Sequence, residues 1–99
     1  MNLDQVFARA KSEKRAALIG YMPAGFPSKE GSTRLIAAMI EGGVDIVEVG
    51  FPCSDPVMDG PVIQQAAEIS LRNNTSANDV FDIVKTSSVP TLVMSYWNP

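Results

Sequence analysis

Histidine is absent from the 99 residues, and cysteine occurs once, at Cys53. Without histidine there is no Ser-His or Cys-His nucleophile pair and none of the usual zinc ligand sets. One cysteine closes no internal disulfide, so nothing points to an oxidising compartment. Long apolar runs are lacking too. No stretch approaches the roughly 20 apolar residues that span a bilayer, and the amphipathic, charged N-terminus has no signal-peptide core. Basic residues are few, eight Lys and Arg against eleven Asp and Glu, and they are scattered. Nucleic-acid partners call for a basic face, so none is expected. Only Lys11, Lys14 and Arg15 lie close together, around a helix end where cations favour the dipole. A soluble, cytoplasmic protein with no membrane partner is the expectation.

What is present is an ordinary globular mix, 45% hydrophobic and 19% charged, enough for one domain at most. Leu3, Val6, Phe7 and Ala10 fall at helical spacing, which predicts a helix over 3–13. The continuous apolar run 16–22 suits a strand covered on both faces. Pro23, Gly25 and Pro27 mark a loop. A second helix from Lys29 carries Leu35, Ile36, Met39 and Ile40, and Gly42-Gly43 stops it. Residues 44–51, rich in β-branched side chains, read as a second strand. A turn-forming loop, 52–60, leads to Pro61, where a helix can start without losing a hydrogen bond. Val62, Ile63, Ala66, Ala67, Ser70 and Leu71 form that helix's expected buried stripe, ended by Asn73-Asn74. Ser76 with Asp79 resembles a capping pair, before Val80, Phe81, Ile83 and Val84. A third strand is expected over 91–96.

The order α-β-α-β-α-α-β implies an α/β fold with parallel strands joined by helical crossovers. Three parallel strands leave open edges, and a (β/α)8 barrel (TIM barrel) needs about 250 residues. The expectation is that 1–99 form the N-terminal part of a single barrel domain, with its first three strands; a small doubly wound sheet is the alternative.

Sites in such folds form where loops leave the carboxyl ends of the strands. Alternation in the second strand puts Ile46, Glu48 and Gly50 on one face, with Val47 and Val49 on the other against helices. Glu48 then points into the barrel mouth. A buried carboxylate is costly unless paired or protonated, and burial raises its pKa, as a general acid or base requires. Pairing with a distant Arg or Lys is the competing reading. Asp55 and Asp59, four apart, precede Pro and Gly and fit turn positions equally well. With no evident third ligand, no metal site is expected. Cys53 has no His partner, and Gly25 and Gly60 make no phosphate-cradling motif. Tyr21, Tyr96 and Trp97 stand at strand ends and suit either a pocket wall or packing.

The run 45–64, DIVEVGFPCSDPVMDGPVIQ, resembles the signature of the tryptophan synthase α chain family: Glu-x-Gly-x-Pro at a strand end, then Ser-Asp-Pro-x-x-Asp-Gly-Pro. The flanks, 20–27 and 93–99, resemble that family's first and third strands. Three positions depart from its commonest pattern: Pro23, Phe26 and Cys53. The resemblance implies retro-aldol cleavage of indole-3-glycerol phosphate to indole and glyceraldehyde 3-phosphate. Glu48 would be the general base and Asp59 the carboxylate that holds the indole N–H. Tyr21, Met94 and Tyr96 would line the indole pocket. Asp55 and Pro56 would lie in the loop facing a β subunit, in an α2β2 complex. No cofactor is implied in this subunit, pyridoxal phosphate belonging to the β subunit. The family's phosphate-holding loops, after its seventh and eighth strands, have no counterpart in 1–99. A non-catalytic fragment, inactive alone but able to fold or bind the β subunit, is therefore the alternative function.

Overall fold

The computed structural model describes residues 1–53 and 59–96. Among the described residues, three of the four helices start on a side-chain cap. In α1 (Leu3–Ser12), the Asn2 side chain accepts the Gln5 N–H while the Gln5 side chain accepts that of Asn2, at 2.9 and 2.8 Å. Helix α2 (Lys29–Glu41) is capped by Ser28, which accepts the Gly31 N–H at 2.9 Å. It ends where Gly43 takes φ 109°, a conformation costly for other residues. Helix α3 (Pro61–Arg72) opens on its proline, and Asn74, at φ 58°, turns the chain out of it. Helix α4 (Ala77–Lys85) carries the expected Ser76–Asp79 capping box.

Strands β1 (Ile19–Pro23), β2 (Ile46–Gly50) and β3 (Thr91–Met94) form one parallel sheet in the order β1-β2-β3. All three are shorter than expected from sequence. Helices α2 and α4 pack on one face of this sheet. Val47, Val49, Ile36, Val80 and Ile83 are wholly buried there, with Met22 and Ala24 beside them. Each such aliphatic side chain contributes on the order of 1.5–3 kcal/mol. At the amino ends of the strands, Arg15 grips Asp45 through two contacts of 2.7 and 3.0 Å, and Asp45 also accepts the Leu18 N–H. The pair ties the α1–β1 connection to the start of β2.

Three sequence expectations need correction. The run 16–22 is not covered on both faces in this chain, since Leu18 and Ile19 are exposed; Ile19 lies on the face opposite Val47 and Val49. Val62, expected in the α3 stripe, is 77% exposed, because it occupies the first turn, before the helix reaches the sheet. Phe81 is 52% exposed: the stripe of α4 runs through Val80, Ile83 and Val84, and Phe81 is offset from it by about 100°. Among the described residues, no helix is long and apolar enough to cross a membrane.

Candidate active site

Parallel registry places Tyr21 of β1 beside Glu48 of β2, and Leu92 of β3 on the far side of Glu48. Partners in register share a face, so Tyr21, Glu48 and Leu92 stand on the face opposite Val47 and Val49. One step further along, Gly50 pairs with Pro23 and with Met94. Glu48 is half-buried between two fully buried valines. The backbone ladder continues past the strands, with the Phe51 N–H donated to the Met94 carbonyl at 2.7 Å.

The Tyr21 ring leans toward the carboxyl end and lies across Gly50. A Cβ built on Gly50 would stand 2.1 Å from the Tyr21 hydroxyl, so any larger residue there would expel the ring. Burial pushes the Tyr21 phenol pKa up, and the negative charge of Asp59, then the Tyr96 phenol and the Glu48 carboxylate, push it in the same direction. Three side chains singled out from sequence, Asp59, Tyr96 and Glu48, therefore act electrostatically on one hydroxyl. Asp59 stands two residues before Pro61, where α3 begins. There the Gln64 side-chain amide donates to the Asp59 carbonyl at 2.8 Å, and the Gln64 N–H to that of Gly60 at 2.9 Å.

Met94 shares the face but is 53% exposed, at the far edge of the sheet. Asp55, Pro56 and Trp97 lie outside the described residues. Cys53 is a half-buried free thiol. Among the described residues, no Lys or Arg makes an ion pair with Glu48; Lys29 is held by Asp79 and Asp82, and Arg15 by Glu13 and Asp45. What sequence reading missed is the seat that Gly50 makes for Tyr21. The alternation put Gly50 on the right face, but the approach of a ring from the next strand depends on registry.

Two depressions flank the sheet. One of about 540 Å³ adjoins the mouth, between α2 and α3, and is lined by Tyr21, Pro23, Phe26, Leu35, Met39 and Ile63 among others. A larger one, about 700 Å³, lies at the amino ends of the strands around Leu18, Val44 and Val89. Its charged groups include Arg15 and Asp45, already committed to each other. The acid-base candidates gather at the carboxyl end, where barrel enzymes carry their chemistry.

Comparison with known proteins identifies the family. The family model described as tryptophan synthase alpha chain matches residues 7–99. The tryptophan synthase alpha chain of Thermobifida fusca is 54% identical over 98% of this chain, and that of Nocardia farcinica is likewise 54% identical over 98%. The chain spans 37% and 38% of the length of these two relatives. Among solved structures, tryptophan synthase from M. tuberculosis in its aminoacrylate-bound form superposes with a TM-score of 0.94 at 43% identity, over 98% of this chain and 41% of that one. The alpha subunit from Legionella pneumophila superposes with a TM-score of 0.89 at 35% identity, over 97% of this chain and 38% of that one. A family match across nearly the whole chain, on the same parallel β/α units, places it: this chain belongs to the tryptophan synthase alpha chain family.

Proposed function

We propose that the protein bearing this chain is a carbon-carbon lyase that cleaves indole-3-glycerol phosphate to indole and glyceraldehyde 3-phosphate. In this reading 1–99 are the N-terminal part of a single barrel domain, and Glu48 and Asp59 are its catalytic residues. The reaction begins with a proton added at indole C3, which makes the ring cationic. Asp59 accepts a hydrogen bond from the indole N–H and stabilises that charge. Glu48 takes the proton from the hydroxyl on the adjacent glycerol carbon, whose C–O becomes the aldehyde. The bond between that carbon and C3 breaks, and its electron pair returns to the ring, restoring neutral indole. Glu48 also serves the protonation of C3. Tyr21, Met94 and Tyr96 line the indole pocket.

The observation that carries the reading is the pairing of Glu48 with Tyr21 in register near the carboxyl end of the sheet, where the charges of Asp59 and Glu48 both act on the Tyr21 phenol. A mouth of that sign suits a ring that becomes cationic, and it repels a phosphate, so the indole end of the substrate faces these residues. No cofactor is needed in this subunit. Its partner is a β subunit holding pyridoxal phosphate, in an α2β2 complex, with Asp55 and Pro56 in the loop toward it, and the enzyme is cytoplasmic. The 99 residues, at 37% of the length of a relative, are expected to be inactive alone. The test is indole release from indole-3-glycerol phosphate by the complete protein, with and without β subunit. Indole and glyceraldehyde 3-phosphate in equal amounts support the reading, and a substrate left intact contradicts it.

A further inference from the structure

Glu48 and Asp59 come from different elements, and one buried residue stands between them. Ala24 is wholly buried. Its N–H is donated to the carbonyl of Gly50, two residues beyond Glu48, at 2.9 Å. Its carbonyl accepts the hydroxyl of Ser70, near the end of α3, 46 residues away in sequence. Ser70 is also wholly buried, and its Oγ lies 3.0 Å from that of Thr75, whose hydroxyl is within 2.9 Å of the Ser70 carbonyl. Asn73 adds a bond from its side-chain amide to the Pro27 carbonyl at 2.7 Å. The end of α3 is thereby fastened to the β1–α2 loop, which is fastened to β2.

Nothing in this cluster faces the mouth or titrates near neutrality, so it takes no part in the chemistry. Its consequence is mechanical. Helix α3 begins at Pro61, two residues after Asp59, and a continuous helix transmits the placement of its last turns to its first. Crowding is tight on the other side of the joint as well. Gly25 takes φ 83°, and a Cβ there would stand 2.0 Å from the Thr75 hydroxyl oxygen, so the loop and the α3 end meet without room for slip. We propose that Ser70 is a positioning residue: its bond to Ala24 sets the distance and orientation of Asp59 relative to Glu48. The proposal rests on the catalytic role given above to Asp59.

The experiment compares Ser70→Ala, Ser70→Thr and Asn73→Ala in the complete protein, each alone and with Asp59→Asn, measuring kcat, KM and the unfolding midpoint. Misplacing a reacting group by less than an ångström costs about tenfold or more. Ser70→Ala should therefore lower kcat about tenfold with KM little changed. Ser70→Thr, which keeps the hydroxyl, should recover most of it. In the Asp59→Asn background, Ser70→Ala should add nothing further. Should Ser70→Ala fail to fold, Asn73→Ala, at an exposed position, must show the same pattern at smaller size. Unchanged kcat in folded Ser70→Ala and Asn73→Ala overturns the proposal, as does an equal loss in both backgrounds, which a merely structural role would give. If Asp59→Asn alone leaves turnover intact, it is the catalytic reading of Asp59 that fails, and the proposal with it.

Discussion

Val47 and Val49 are wholly buried against α2 and α4, whereas Glu48, between them on the same strand, is half-exposed and lies on the opposite face. The two sides of β2 thus do different work with residues one step apart. On the helix side the side chains are aliphatic, with fixed rotamers and no charge to desolvate. On the other side stand a carboxylate, a phenol and a glycine kept bare for that phenol. Under the proposed function the same strand supplies stability in one direction and reactivity in the other, so substitutions on the two faces should fail differently.

The largest effect is expected from removing both carboxylates. Glu48→Gln with Asp59→Asn in the complete protein should lower kcat by about 10⁴-fold, less than the product of two independent losses because the groups act in one step. The unfolding midpoint should stay near that of the unsubstituted protein. A large drop in stability would show that the two faces are not separable. The converse is Ile36→Ala, which should cost about 2–5 kcal/mol in urea denaturation through the cavity it leaves. The folded fraction should keep its kcat, and a kcat loss with little change in stability would place Ile36 among the groups that shape the mouth. The smallest effect is expected at the amino ends of the strands. Arg15, and then the Leu18 N–H, hold the Asp45 carboxyl down at about 2, from an ordinary 3.8. A depressed folded pKa means stability that is present above 3.8 and lost as pH falls toward about 2. Asp79, held at about 2 by the Ser76 N–H and then by Lys29, acts in the same window. Both carboxylates are on the surface, so the loss should be modest. Urea midpoints measured between pH 5 and pH 2 should fall less steeply for Asp45→Asn, and an identical acid limb would remove that pair from the account.

Much of this was legible in the chain, for identifiable reasons. Period-2 alternation through Ile46-Val47-Glu48-Val49-Gly50 is enough to put Glu48 opposite the valines, and Ser76 with Asp79 announces a helix start by local chemistry alone. Signals that depend on a neighbour were not legible. The Tyr21–Glu48 pairing is a matter of registry between strands 27 residues apart in sequence. Arg15 and Asp45 are thirty apart. Ser70 was readable as part of a buried stripe, but the carbonyl it serves lies in another loop. Ser32, wholly buried and accepting the Gly25 N–H at 2.7 Å, looked like any helix serine. Val62 and Phe81 fail the other way: periodicity marks a side that could be buried, but only tertiary packing says where the covering surface ends.

In the proposed function, the reaction runs through Glu48 on the face of β2 opposite Val47 and Val49. The most direct test of that role is the single substitution Glu48→Gln in the complete protein, with substrate affinity and turnover measured on the same preparation. Substrate should still bind, with a Kd within about threefold, and turnover should fall about 10³-fold, the pattern of a group that acts on the proton in flight. Turnover kept at most of its original rate would contradict that role.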